Sequence, residues 1–286
     1  MKKIPELFSN CSTTYEKANI ILFGNPFDAV GGVRTGAAFA PDTIRRSSLE
    51  IDTYSFYQNR DLKDYAICDL GNTETSGMSH EGMLKLVETE THNIIVDGKI
   101  PVLLGGHPLT TLGSVRALYQ EYPRMNIIYF GSHASLKEKN AENTILSQRV
   151  MKECYELIGE YRIHQFCVRS GSKAEFKFAA KHVDIHPLGF EWLQPTVDQT
   201  KQKNIPIYLS LNLDCLDPAL FPAVENPVAN GISFLQLVEA IQRVCTGNVV
   251  GADITGLLPS FDHSGACAYT ASLIIRELLL ALSRTF

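Results

Sequence analysis

Tyr208-Leu209-Ser210-Leu211-Asn212-Leu213-Asp214-Cys215-Leu216-Asp217-Pro218 is the stretch whose reading decides the fold. Leu209, Leu211 and Leu213 alternate with Ser210, Asn212 and Asp214, a period of two that predicts a strand, and Asp217-Pro218 ends it. The polar groups therefore arrive at the C-terminal end of a strand, where parallel α/β sheets place their sites. Two readings of Asn212 and Asp214 stay open on these residues alone. They terminate a strand and start a turn, or they supply donors to a metal.

Short apolar runs of the same kind recur at 19–23, 65–70, 101–104, 126–130, 163–168, 205–213 and 248–254. Between several of them lie segments with helical spacing, at 80–96, 110–121, 143–158, 234–245 and 268–282. This alternation predicts a central parallel sheet with helices on both faces, an α/β protein in three layers. No linker, repeat or low-complexity tract divides the chain, so residues 1–286 are expected to form a single domain.

The composition narrows the functional classes. A net charge of −5 without a Lys or Arg cluster excludes a nucleic-acid surface. No apolar run reaches the roughly 18 residues of a membrane span, and Met1-Lys2-Lys3-Ile4-Pro5-Glu6 lacks a signal-peptide core, so a cytoplasmic location is expected. Seven scattered cysteines without a C-x-x-C pair read as buried thiols, not as a zinc site.

The loops after the predicted strands carry the remaining information. Gly24-Asn-Pro-Phe-Asp28 runs on to Arg34-Thr-Gly36, where Asp28 and Arg34 read as an internal pair, and Pro41-Asp42 starts a helix. Leu103-Leu-Gly-Gly-His107-Pro108 turns at a glycine pair and leaves His107 at the mouth of the sheet. Tyr129-Phe-Gly131-Ser-His133-Ala-Ser135 presents His133, and Asp253-Ile-Thr-Gly256 is a strand end with one carboxylate.

Taken in order, Gly-x-Pro-x-Asp, a downstream Arg-x-Gly and Ile-Arg, Gly-Gly, a His loop, and Ser-x-x-x-Asp-x-x-Asp-Pro resemble the ureohydrolase superfamily. That family comprises arginase, agmatinase and formimidoylglutamase, and the agmatinase branch is the most similar. Cys167-Val-Arg-Ser-Gly171 and the segment 270–278 extend the resemblance, which runs from about Asn25 to the C-terminus. It implies the arginase-like α/β/α fold, a paired manganese centre, hydrolysis of guanidino groups and a homo-oligomer of trimers or hexamers.

The site residues that the resemblance implies can be checked one by one. Pro108 stands where the family has a ligand His, and Gly131 and Ser135 stand where it has aspartates flanking His133. Asn212 precedes Asp214 where the family has two ligand aspartates, which leaves His133 and Asp214 of six expected ligands. Gly131 and Asn212 fall at the bridging positions, and two closely spaced divalent ions need anionic oxygens there. Gly256 replaces the guanidinium-binding Glu, Ser147 aligns with a further His, and Ala223-Val-Glu-Asn-Pro227 replaces a Gly-Thr-Gly-Thr-Pro-like turn.

The expectation is a catalytically inactive pseudoenzyme with a binding, regulatory or assembly role, without a resident cofactor. Its partners would be further copies of itself, an active relative or a small-molecule ligand, with no nucleic acid and no membrane. The alternative is a hydrolase of linear amidines, or of another C–N bond, that keeps one weakly held manganese or zinc at His133 and Asp214. His107 is a further residual donor.

Overall fold

The computed structural model describes residues 6–28, 34–138 and 146–285. Part of the Gly24–Gly36 loop, Met1–Pro5 and the first three residues of the helix expected from 143 lie outside them.

The strands are β1 (Ile20–Asn25), β2 (Tyr54–Ser55), β3 (Arg60–Asp61), β4 (Ile67–Asn72), β5 (Ile100–Gly105), β6 (Asn126–Phe130), β7 (Ile163–Val168), β8 (Asp184–Pro187), β9 (Ile207–Asn212) and β10 (Val249–Thr255). The helices are α1 (Ala40–Ser48), α2 (His80–Val96), α3 (Thr110–Glu121), α4 (Val150–Ile158), α5 (Lys173–His182), α6 (Leu193–Gln202), α7 (Phe234–Val244) and α8 (Ala266–Leu282). One sheet of 8 strands runs in the order β4-β1-β5-β10-β9-β6-β7-β8, with every pairing parallel. β2 and β3 form a separate antiparallel hairpin.

Parallel neighbours need crossovers, and the helices that provide them cover both faces of the sheet. On one face Leu209 and Leu211 of β9 pack in a core with Ile44 of α1, Leu193 of α6, Leu237 of α7 and Leu278 of α8. On the other, Tyr208 joins Val87 of α2, Val115 of α3, Met151 of α4 and Ala179 of α5. This is the three-layer α/β/α arrangement anticipated from the alternation.

The alternation in β9 has a different meaning from the usual one of buried against solvated. Both faces are covered, so Ser210 is 1% exposed and must find a partner. Its hydroxyl donates to Asp253 on the neighbouring β10 (3.0 Å), and Tyr208 donates to the same carboxylate (2.5 Å). Leu209 and Leu211 are fully buried, each worth about 2 kcal/mol, and hold the strand against the α7 and α8 layer.

Helix limits follow from capping. Ser79 accepts the Gly82 N–H to open α2, and Ser172 with Glu175, and Ser233 with Gln236, form reciprocal boxes at α5 and α7. No helix of the described residues is long and apolar enough to cross a membrane. All seven cysteines are buried and free.

Candidate functional site

β1, β5, β10, β9 and β6 are consecutive in the sheet, so the loops leaving their C-terminal ends converge. Together with the 222–226 loop and the turn at 146–149 they line one partly open pocket. His107, Pro108, His133, Ser135, Ser147, Asn212, Asp214 and Gly256 all line it. Gly131 is not among the lining residues, and Asp253 lies beneath the site, fully buried within β10.

Asp214 does not belong to the strand itself. β9 stops at Asn212, whose side-chain oxygen accepts the Asp214 N–H (3.1 Å) and starts a one-turn 3₁₀ helix, Leu213–Cys215. Arg169, just beyond β7, holds that turn in place. Its guanidinium donates to the carbonyls of Asp214 (3.0 Å), Cys215 (3.2 Å), Leu216 (3.3 Å) and Val228 (2.8 Å).

The Asp214 carboxylate takes the Ser132 N–H at 2.8 Å through Oδ1 and faces His133 Nδ1 at 3.0 Å through Oδ2. Because an ionised carboxylate only accepts, Nδ1 carries the hydrogen of this contact, and the tautomer follows from the partner. Ser132 Oγ lies 2.6 Å from the same nitrogen. His133 is thus oriented by its neighbours with its remaining ring nitrogen left for other partners.

His107 is arranged differently. It is 6% exposed, and burial, helped by the nearby His80, lowers its pKa to about 4. Its Nδ1 accepts the Leu109 N–H (3.1 Å), so in the neutral ring the hydrogen sits on Nε2. Neither nitrogen of His107 then offers a free lone pair.

Asp28 and Arg34 correct one expectation, since they line the pocket without pairing with each other. Asp28 accepts the Gly36 N–H (2.5 Å), while Arg34 donates to the carbonyls of Val224 (2.9 Å) and Pro222 (3.3 Å) and lies 4.7 Å over the Phe261 ring. The arginine therefore clamps the 222–224 loop. Glu225 enters the pocket from that loop, where burial, together with the charges of Asp214 and Asp28, raises its pKa.

In the sequence Glu225 stands out only as part of an altered turn. The signal that could have marked it is a lone charged residue inside an otherwise uncharged, proline-flanked turn, Pro222-Ala-Val-Glu-Asn-Pro227. Asn226 of the same turn also lines the pocket, as does Gln148, which belongs to no motif.

Comparison with known proteins gives consistent results. A family model described as the arginase family matches residues 18–281. An agmatinase of Bacillus subtilis (strain 168) is 34% identical over 269 residues, covering 93% of this chain and 92% of the relative. Among solved structures, a candidate agmatinase from Clostridium difficile superposes with a TM-score of 0.91 at 35% identity, covering 95% of this chain and 99% of the other. The agmatine ureohydrolase of Thermoplasma volcanium gives a TM-score of 0.88 at 27% identity, covering 98% and 94%.

Proposed function

The chain belongs to the arginase family, and we propose that within it this protein is a pseudoenzyme, a non-catalytic binding, regulatory or assembly member of the agmatinase branch. One observation carries the reading. Of the six positions at which the resemblance expects metal ligands, only His133 and Asp214 offer an imidazole or a carboxylate, and these two are bonded to each other.

The donor set does not fit a pair of manganese ions. Two such ions bring four positive charges and need bridging anionic oxygens. Asn212 contributes an amide already engaged by the Asp214 N–H, Gly131 contributes nothing, and His107 has both nitrogens committed. Neutral residues at 131, 135 and 212 also remove the mutual repulsion of buried carboxylates, which supports a fold that stands without metal.

The geometry is that of a pocket with Asp28, Asp214 and Glu225 on its walls and Arg34 held against the 222–224 carbonyls. A small ligand bound there without turnover fits this reading, as does a homo-oligomer of the family kind or an assembly with an active relative.

A urea assay tests the reading. No urea above background is expected from agmatine, arginine or guanidinobutyrate, with or without manganese. Manganese-dependent turnover by the unmodified protein would sink it.

A second reading keeps one weakly held metal at His133 and Asp214, with hydrolysis of a C–N bond. It is favoured by the 3.0 Å between Nδ1 and Oδ2, about the spacing of two ligands 2.1 Å from one ion at right angles. Titration with manganese or zinc, monitored by calorimetry, distinguishes it. One bound ion, lost in His133→Ala and in Asp214→Ala, would favour this second reading.

A further inference from the structure

We propose that the phenol of Tyr129, buried behind the lining residues, fills the place from which a carboxylate at 131 would act and so occupies the space of a metal ligand. The inference rests on the reading that the paired manganese site is gone, and it names what has taken over the space.

A Cβ added at Gly131 would lie 2.1 Å from the Tyr129 hydroxyl oxygen, 2.3 Å from Cζ and 2.6 Å from Cε1. Non-bonded carbon and oxygen atoms do not approach so closely, since attraction is greatest near 3.5–4.0 Å and gives way to steep repulsion well inside it. Gly131 is not among the glycines with positive φ, so its backbone does not itself require glycine. What excludes a side chain at 131 is the ring of Tyr129.

That ring has little freedom to withdraw. Tyr129 is 4% exposed and sits one residue before the end of β6, in register with Gln165 of β7 and Ser210 of β9. It packs in the same core as Ile127 and Leu136, so a rotation would drive the ring into occupied space. Ser135 and Asn212 are side chains that interact with its hydroxyl. One phenol thus blocks 131 by volume and interacts with two further altered positions, 135 and 212.

Crowding also meets a side chain at Gly256, which lines the pocket. There a Cβ would lie 2.2 Å from the Asn212 side-chain oxygen, and φ is +95°. Side chains have therefore closed over both vacated positions, from the same strand at 131 and from the neighbouring strand at 256. Returning the family's carboxylates to 131 or 256 alone would meet these side chains before meeting a metal.

A double-mutant cycle in metal-free protein tests the coupling. Tyr129→Phe keeps Cζ and Cε1, whereas Tyr129→Leu lacks every atom of the close approach. Gly131→Ala should lower the melting temperature by about 5 °C or more in the wild-type and Tyr129→Phe backgrounds, and by less than about 1 °C in Tyr129→Leu. An equal loss in all three backgrounds would overturn the inference, as would a Tyr129→Leu/Gly131→Ala protein that does not fold where Tyr129→Leu does.

Manganese binding, read by electron paramagnetic resonance, is the second arm. Pro108→His, Gly131→Asp, Ser135→Asp and Asn212→Asp are combined with and without Tyr129→Leu. Bound manganese is expected only with leucine at 129, and binding with Tyr129 in place would overturn the inference. Tight manganese binding by the unmodified protein would instead overturn the proposed function, whereas absent coupling in metal-free protein removes the role of Tyr129 alone.

Discussion

At the scale of single residues, Asp253 shows how a polar side chain is handled when a sheet is covered on both faces. Burial raises its pKa to about 6, against the hydrogen bonds from Tyr208, Ser210 and Thr111 that favour the charged form. The folded state therefore holds this proton more tightly than the unfolded chain, where an aspartate titrates near 3.9. The associated stability is fully present below about pH 4, falls as the pH rises towards 6, and changes no further above it. A difference of about two units corresponds to about 3 kcal/mol. Unfolding of wild type and Asp253→Asn, compared from pH 4 to 7, should show wild type losing about that much relative to the variant. A constant difference across this range would contradict the assignment. The motif order placed His133, Ser135, Asn212, Asp214, Pro108 and Gly256 in one region, and all of them line the pocket. Tyr129 was not legible, because an apolar ring in a strand run reads as core, and its contact with Gly131 depends on where β6 ends.

Among the elements, those with a strong period were legible to within a few residues. β6, β7, α2 and α3 have the limits that their apolar pattern predicts, and α7 differs by one residue at its end. The edge strand β8 was not legible, being four residues, Asp184-Ile-His-Pro187, of which only Ile185 is apolar. α5 buries only Glu175 and Ala179 and therefore shows no apolar stripe, and α6 carries a proline in its first turn. α4 starts at Val150, after a 3₁₀ turn at 146–149. The turn after β9 illustrates how an element positions chemistry that it does not contain. Arg169 reaches four carbonyls of the 214–216 and 228 segments from the end of β7, so it joins two strand ends that no ladder joins. Arg169→Ala leaves these carbonyls without a charged donor and should cost about 3 kcal/mol, or roughly 10 °C in melting temperature. Arg169→Lys should recover little, because a single ammonium cannot span the guanidinium's fork of donors. Thermal melts of both variants check this, and a lysine variant as stable as wild type would show that charge alone suffices.

For the whole molecule, the arginase-like architecture was legible because every motif keeps its order along the sheet even where its chemistry is changed. The same comparison leads to an expectation about stability. A paired-metal enzyme draws part of its folding free energy from its ions, since a ligand stabilises by RT ln(1 + [L]/Kd), about 2.7 kcal/mol when metal exceeds Kd by 100-fold. Here His133 and Asp214 are already satisfied by each other, by Ser132 and by its amide, so a metal would have to displace those contacts. A millimolar constant at millimolar metal gives only about 0.4 kcal/mol, a shift below about 2 °C. The sheet runs uninterrupted from β4 to β8, which supports our proposal that residues 1–286 behave as one domain. The expected calorimetric trace is therefore a single transition whose midpoint is the same in chelator and in micromolar manganese. A midpoint that rises by several degrees at micromolar manganese, and returns on chelation, would mean that a high-affinity centre forms despite the neutral residues at 131, 135 and 212. Two transitions, only one of them sensitive to metal, would divide the chain into separate cooperative units.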